Sequence, residues 1–188
     1  MSVWFTSDLH LGHRLVAGLR GFSGTARHDE TVLENLAAAL RPGDRLWVLG
    51  DLSVGDKTVE QRALDLLAEY LPGIEKHLIA GNHDSCHPLH KSAFRRQGVF
   101  LEVFESVQAY QKLRWQGREV WLSHFPRQGQ DHEGMASRFD ELRLEVPLLV
   151  HGHLHSAVPQ VAEGQVDVGL DAWGLRPVRQ EEVQDLLF

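Results

Sequence analysis

The chain contains a single cysteine, Cys86, in 188 residues. No intrachain disulfide can form, so stability has to come from packing, and a reducing, cytoplasmic setting is the expectation. Long apolar runs are missing too. Nothing approaches the ~20 apolar residues of a spanning helix. The opening Met-Ser-Val-Trp-Phe-Thr-Ser-Asp lacks the basic start and apolar segment of a signal peptide. A membrane partner is therefore not expected. Excess positive charge is also absent: 19 Lys and Arg stand against 26 Asp and Glu, a net charge of -7. That argues against salt-driven gripping of long duplex DNA or anionic membrane. It leaves room for a nucleotide or a nucleic-acid end at a metal, whose charge inverts the local field. There is no internal repeat, low-complexity tract or linker. With 43% hydrophobic and 24% charged residues, the composition is that of an ordinary globular chain. The length suits a single domain over residues 1–188.

What is present is a series of apolar runs, each followed by a polar cluster. Val3 to Thr6 predicts a strand that delivers Asp8 and His10. Thr31-Val32-Leu33-Glu34 fits a capping box, followed by a helical stripe of Val32, Leu33, Leu36, Ala37 and Leu40. Arg45 to Leu49 reads as a buried strand ending at Gly50-Asp51. A helix over Lys57 to Tyr70 follows, then a strand from His77 to Ala80 ending at Gly81-Asn82-His83-Asp84. Alternating strand and helix implies parallel pairing, with chemistry beyond the carboxyl ends of the strands. In the second half, Phe100 to Phe104, Ser106 to Trp115 and Glu119 to Ser123 read as strands, the last two joined by the turn Gln116-Gly117-Arg118. Leu148 to Val150 and Val166 to Leu170 read as further strands. The fold class expected is α/β, with two sheets between helices.

Three imidazoles stand at alternate positions in His151-Gly152-His153-Leu154-His155. Neutral imidazole is the commonest metal ligand, and His153 and His155 would share one strand face. Asp8-x-His10 pairs a carboxylate with an imidazole, which suits a divalent transition metal. Asp51 could bridge two ions through its two oxygens. Asn82 offers a neutral carbonyl oxygen, and His83 beside it would be free to act on substrate. His124 ends another apolar run. Taken singly, each motif also fits a plain turn, a helix cap or a structural histidine. His151, deeper in its strand, reads as a packed histidine. His13 is either an exposed loop residue or a substrate contact. Cys86 reads as a small buried residue. The run His87, His90, Lys91, Arg95, Arg96 reads as a solvated helix face, and Glu181-Glu182 as a solvated charge pair.

Taken together, DxH, GD, GNHD, H and GHxH in this order resemble the calcineurin-like metallophosphoesterase superfamily. The resemblance covers Trp4 to His155, and Val168 to Pro177 is similar to the tail of small bacterial and phage members. It implies a two-sheet β-sandwich flanked by helices. It also implies two divalent ions, one on Asp8, His10, Asp51 and His155, the other on Asp51, Asn82, His124 and His153. Mn²⁺ is the first choice of metal, with Fe, Zn, Co and Ni also suited to the mixed N/O set. In such a site the ions stand roughly 3.5–4 Å apart and share a hydroxide that attacks phosphorus. His83 would meet the substrate phosphate or the leaving oxygen, and Asp84 would support His83.

One departure bears on substrate. The protein serine/threonine phosphatases carry GDxxDRG, and here the run is Gly50-Asp51-Leu52-Ser53-Val54-Gly55-Asp56, with Val54 at the second acid. Phosphoprotein is therefore disfavoured. The expected substrate is a small phosphodiester, of nucleotide or 2′,3′-cyclic type, with His13, Arg127 and the loop from Arg127 to Ser137 shaping selectivity. Phosphomonoester hydrolysis and nuclease action on strand ends are the alternatives. A non-catalytic interaction module on the same fold is the reading furthest from the residues. The HxHxDH pattern of metallo-β-lactamases is absent. The His-Asp doublet of HD phosphohydrolases belongs to an all-helical fold, whereas His83-Asp84 follows a strand.

Overall fold

A computed structural model of the chain describes residues 1–132 and 134–188. Strand β1 (Val3–Thr6) is the pivot of the first sheet. It pairs in parallel with β2 (Arg45–Val48), which pairs in parallel with β3 (Glu75–Ile79) and through it with β4 (Ser106–Gln108). On its other side β1 pairs antiparallel with β9 (Val178–Arg179), giving the order β4-β3-β2-β1-β9. The second sheet has the order β5-β6-β7-β8, from β5 (Tyr110–Trp115), β6 (Arg118–Ser123), β7 (Leu149–His151) and β8 (Gln165–Asp167).

Alternation along the strands decides which layer each side chain joins. Trp4, Leu46, Val48 and Leu78 face an outer core with Val32, Leu36, Leu64 and Leu67 from α2 (Thr25–Ala39) and α3 (Lys57–Tyr70). Phe5, Trp47, Leu49 and Ile79 face the inner core, with Val120, Leu122, Val150 and Val166 of the second sheet. The first sheet is thus buried on both faces, which is why its strands are nearly continuously apolar. This is the mixed α/β, two-sheet architecture expected. Among the described residues, no helix is long and apolar enough to cross a membrane.

Several local expectations are corrected. Helix α2 starts at Thr25 with Gly24 as its cap. Thr31 lies inside the helix, where its hydroxyl donates to Arg27 O at 2.8 Å, so there is no capping box at Thr31. Phe100 ends α4 (Ala93–Phe100) and a turn follows, in place of a strand over Phe100 to Phe104. Ser106 to Trp115 is two strands in different sheets, divided at Ala109. The short helix α1 (Arg14–Leu19), β9 and α5 (Gln180–Leu187) had no counterpart in the sequence reading. His87 is buried and Arg96 is bonded to Glu60 and Ser85, whereas Lys91 and Arg95 are exposed, so the run after GNHD is solvated only in part. Glu182 bonds Arg179 N and Arg176 as part of the α5 cap, so Glu181-Glu182 is more than a solvated pair.

Candidate metal centre

The polar clusters meet where the strands of both sheets end. Asp8 and His10 follow β1, Asp51 follows β2, and Asn82 and His83 follow β3. His124 follows β6, and His153 and His155 follow β7. The turns that carry them are unusual. Asp8, His10, Asp51, His153 and His155 all have φ between 48° and 73°, in the left-handed region that non-glycine residues seldom enter. Such conformations gather at functional sites, where the surroundings force them. Gly50 (φ 91°) makes one approach possible: a Cβ there would press on the Gly81 backbone and lie 2.8 Å from His124 Nδ1.

The side chains form two groups facing one carboxylate. In the first, His10 Nε2 and His155 Nε2 are 3.1 Å apart, and each lies 3.9 Å from Asp8 Oδ1. In the second, His124 Nε2 lies 3.1 Å from Asn82 Oδ1 and 3.3 Å from His153 Nδ1. Asp51 Oδ2 stands between them, 3.8 Å from His10 Nε2 and 3.6 Å from His124 Nε2.

The hydrogen bonds on the far side of each ring fix what these atoms are. His10 Nδ1 lies 3.3 Å from Ser53 O, His124 Nδ1 2.7 Å from Leu49 O, and His155 Nδ1 2.8 Å from Asp171 Oδ2. Oxygens of this kind only accept, so each Nδ1 carries the hydrogen and each Nε2 of a neutral ring presents a lone pair. Burial lowers the pKa of His10 and of His124, which favours the neutral ring. For His155 burial acts in the same direction, but the bond to Asp171 and the charge of Asp8 raise the net value. Burial, and after it the charge of Asp8, pushes Asp51 up to about 7. Asp8 Oδ1 is buried without a partner. Lone pairs and carboxylates crowded together without donors are mutually repulsive unless a cation lies among them. The donor set fits divalent metal ions, and mixed imidazole, carboxylate and amide oxygen is the chemistry such ions take.

His83 has a side chain 37% exposed and lines a cavity of about 1010 Å³ together with His10, His13, Asp51, Asn82 and His155. Its Nδ1 lies 3.3 Å from Val54 O and its Nε2 4.0 Å from Asp51 Oδ2. The main chain at Val54 thus holds the ring at the position where GDxxDRG proteins carry an acid. His13 lies in the same wall, its ring centroid 5.2 Å from that of His10 and 6.0 Å from that of His83. His151 is fully buried, its Nδ1 2.8 Å from Gly152 O, as a packed histidine should be.

Two expectations are corrected. Asp84 does not support the His83 ring. Its buried carboxylate accepts from Gly81 N (2.8 Å), Asp51 N (3.0 Å) and Leu52 N (3.0 Å), which ties the two ligand turns together. Arg127 does not line the cavity. Its guanidinium donates to the carbonyls of Val146, Pro147, Glu163 and Gly164 and braces the second sheet.

Other residues at the site went unread. Asp131 Oδ1 lies 3.3 Å from His153 Nε2, and Arg138 and Arg143 hold the same carboxylate at 3.0 and 3.3 Å. His132 Nε2 lies 2.6 Å from His153 O. The adjacent Asp131-His132 pair, inside the loop from Arg127 to Ser137, was the available signal; residue 133 of that loop lies outside the described residues. Asp171 and its partner Arg20 carried no local signal.

Comparison with known proteins shows the family and the fold. The family model described as the calcineurin-like phosphoesterase superfamily domain matches residues 1–170. The chain is similar to the Gene 66 protein of Mycobacterium phage L5, 35% identical over 99% of this chain and 94% of that one. It is 38% identical to the Gene 66 protein of Mycobacterium phage D29, over 92% of this chain and 89% of the other. Its fold is similar to a crystal structure of a protein of unknown function from Aquifex aeolicus. There the TM-score is 0.73 at 23% identity, over 99% of each chain.

Proposed function

The chain belongs to the calcineurin-like phosphoesterase superfamily, and from that premise we propose that it is a binuclear metal-dependent phosphodiesterase acting on small, nucleotide-type esters. Asp8, His10, Asp51 and His155 would hold one divalent ion and Asp51, Asn82, His124 and His153 the other, with Mn²⁺ the first choice. Bound there, the ions would supply Lewis-acid charge to the phosphoryl group and an activated water. Asp51 faces both donor groups and would serve both ions. His83, with its Nδ1–H turned to Val54 O, presents Nε2 to the cavity; as an imidazolium it would give the proton on that nitrogen to the leaving oxygen, a role typically worth about 10²–10⁴-fold. A covalent route through Cys86 is disfavoured, because the side chain is buried and burial pushes its thiol up.

One observation favours a diester over a monoester. Among the described residues that line the cavity, Arg138 is the only guanidinium or ammonium group, and Asp131 already holds it at 3.0 Å. Among the described residues, the second negative charge of a monoester would meet no free guanidinium or ammonium group there.

The test compares kcat/KM for bis-p-nitrophenyl phosphate, p-nitrophenyl phosphate, a 2′,3′-cyclic nucleotide and a phosphopeptide, on protein loaded with Mn²⁺. The diesters should lead, and His83→Ala should lower kcat with metal content unchanged. A monoester or phosphopeptide preferred by about tenfold or more would reverse the substrate reading. Absence of turnover for every ester would remove the enzyme reading.

A further inference from the structure

The cavity is far larger than a phosphate group requires, and part of its wall is apolar. Leu15 and Leu19 of α1 line it. They are spaced i, i+4 and so share one helix face, and they are 66% and 78% exposed. Met135 lines the cavity from the loop after β6 and is 49% exposed; Leu154 and Val161 line it as well. Large apolar side chains left in water at the mouth of a polar cavity are surface that a ligand would cover.

We propose that this shelf is the subsite for the organic half of the substrate. The ligand is a phosphodiester bearing an apolar or planar aromatic group, a nucleobase being the biological form of that chemistry. Its phosphate lies at Asp51, and its flat face lies against Leu15, Leu19 and Met135. The inference rests on the phosphodiesterase reading and adds the group next to the phosphate. Helix α1 begins at Arg14, directly after His13, so the shelf starts at Leu15, two residues from a side chain whose ring is 6.0 Å from that of His83. A group esterified to a phosphate near His83 therefore has the shelf as its neighbouring surface. Leucine and methionine side chains offer no hydrogen bond to a base edge. They would grip a base by its face, which every base has, so discrimination between bases should be weak.

The test measures binding by titration calorimetry on Mn²⁺-loaded protein with diphenyl phosphate and dimethyl phosphate. Both carry one charge and the same phosphate, and they differ only in apolar face. Diphenyl phosphate should bind about tenfold tighter or better. The Leu15→Ser/Leu19→Ser variant, changed only at exposed positions, should bring that ratio to about twofold with dimethyl phosphate unaffected. Leu15→Met/Leu19→Met should preserve it. An undiminished ratio in the serine variant, equal weakening of both ligands, or no binding of either would overturn the shelf. So would a change from dimer to monomer in sedimentation with the ratio intact, because the shelf would then be covered by a second copy of the chain. Binding with the expected ratio but no ester hydrolysis would keep the shelf and discard the phosphodiesterase reading.

Discussion

At the scale of single residues, the side chains behind the proposed ligands matter as much as the ligands. Asp171 accepts from His155 Nδ1 at 2.8 Å and from Arg20 at 2.9 and 2.7 Å. Arg20 in turn donates to Asp8 O at 2.8 Å and Leu9 O at 3.3 Å. One guanidinium therefore ties the turn after β1 to the ligand after β7. Burial would raise the Asp171 pKa, yet the bonds from Arg20 and His155 hold it well below the usual carboxylate range. Carboxylates behind metal-binding histidines are typically worth about 10–100-fold in affinity. Asp171→Asn should weaken Mn²⁺ binding by that factor in a calorimetric titration, with the circular dichroism spectrum unchanged. Affinity within about twofold of the parent would show that His155 holds its orientation without Asp171. Asp167 is a different case. It is buried, its Oδ1 accepts from Gly169 N at 2.7 Å and its Oδ2 has no partner. Burial, and after it the charge of Asp8, pushes it up to about 8. The unfolded value is about 3.9, so the folded chain keeps a proton that the unfolded chain has released. The stability this contributes is fully present below about pH 4 and is lost as pH rises through about 8. His87 and His151, lowered to about 4 by burial, titrate in neither state above about pH 7.5. Asp51 and Asp84, both pushed up to about 7 by burial first, act in the same direction as Asp167. Metal-stripped protein should therefore lose stability to urea as pH rises from about 7 to about 8, and Asp167→Asn should remove part of that slope. Equal slopes in parent and variant would contradict the assignment.

At the scale of elements, legibility followed local physics. Helix α3 is legible over its observed range from the apolar stripe Ala63, Leu64, Leu67, Tyr70 and Leu71 and the stop at Leu71-Pro72-Gly73; the structure adds the cap, Asp56, whose carboxylate accepts from Thr58 N at 2.9 Å and Val59 N at 3.2 Å. At Thr31 the cap-like spacing misled, because a threonine hydroxyl inside a helix can bond back to the carbonyl four residues earlier. Ser106 to Trp115 holds no Gly or Pro, so no breaker there signals that the chain leaves one sheet for the other. The ligand-type residues themselves were legible because each follows a buried strand and strand ends converge. Arg20 and Asp171 were not, since their pairing spans 151 positions and exists only once both sheets are in place. Arg127 is expected at the site because it opens the polar loop from Arg127 to Ser137, between two ligand clusters. Its guanidinium instead turns to backbone carbonyls at the far end of β8.

At the scale of the molecule, the proposed ions would join the two sheets. Asp8, His10, Asp51 and Asn82 stand on turns of the first sheet, and His124, His153 and His155 on turns of the second. The inner core already holds the sheets together through Phe5, Trp47, Val120 and Val166. Across the sheets the turns that carry the proposed ligands are joined by hydrogen bonds, from Arg20 and His155 to Asp171 and from His153 N to Asp8. These turns hold several residues at positive φ and face one another with lone pairs. Cations that bind the folded chain and not the unfolded one stabilise it by about 2.7 kcal/mol at a hundred times Kd. For a chain of this length that is roughly a 5–10 °C rise in Tm. Titration with Mn²⁺ should produce a rise of that order in a thermal melt, and a chelator should reverse it. Asp51→Ala should abolish most of the rise, because one oxygen of Asp51 lies within 3.8 Å of His10 Nε2 and 3.6 Å of His124 Nε2 and so faces both donor groups. A full rise in that variant would mean that the stabilising ion sits elsewhere. No rise in the parent would mean that the converging donors hold no cation tightly enough to bind the sheets to each other.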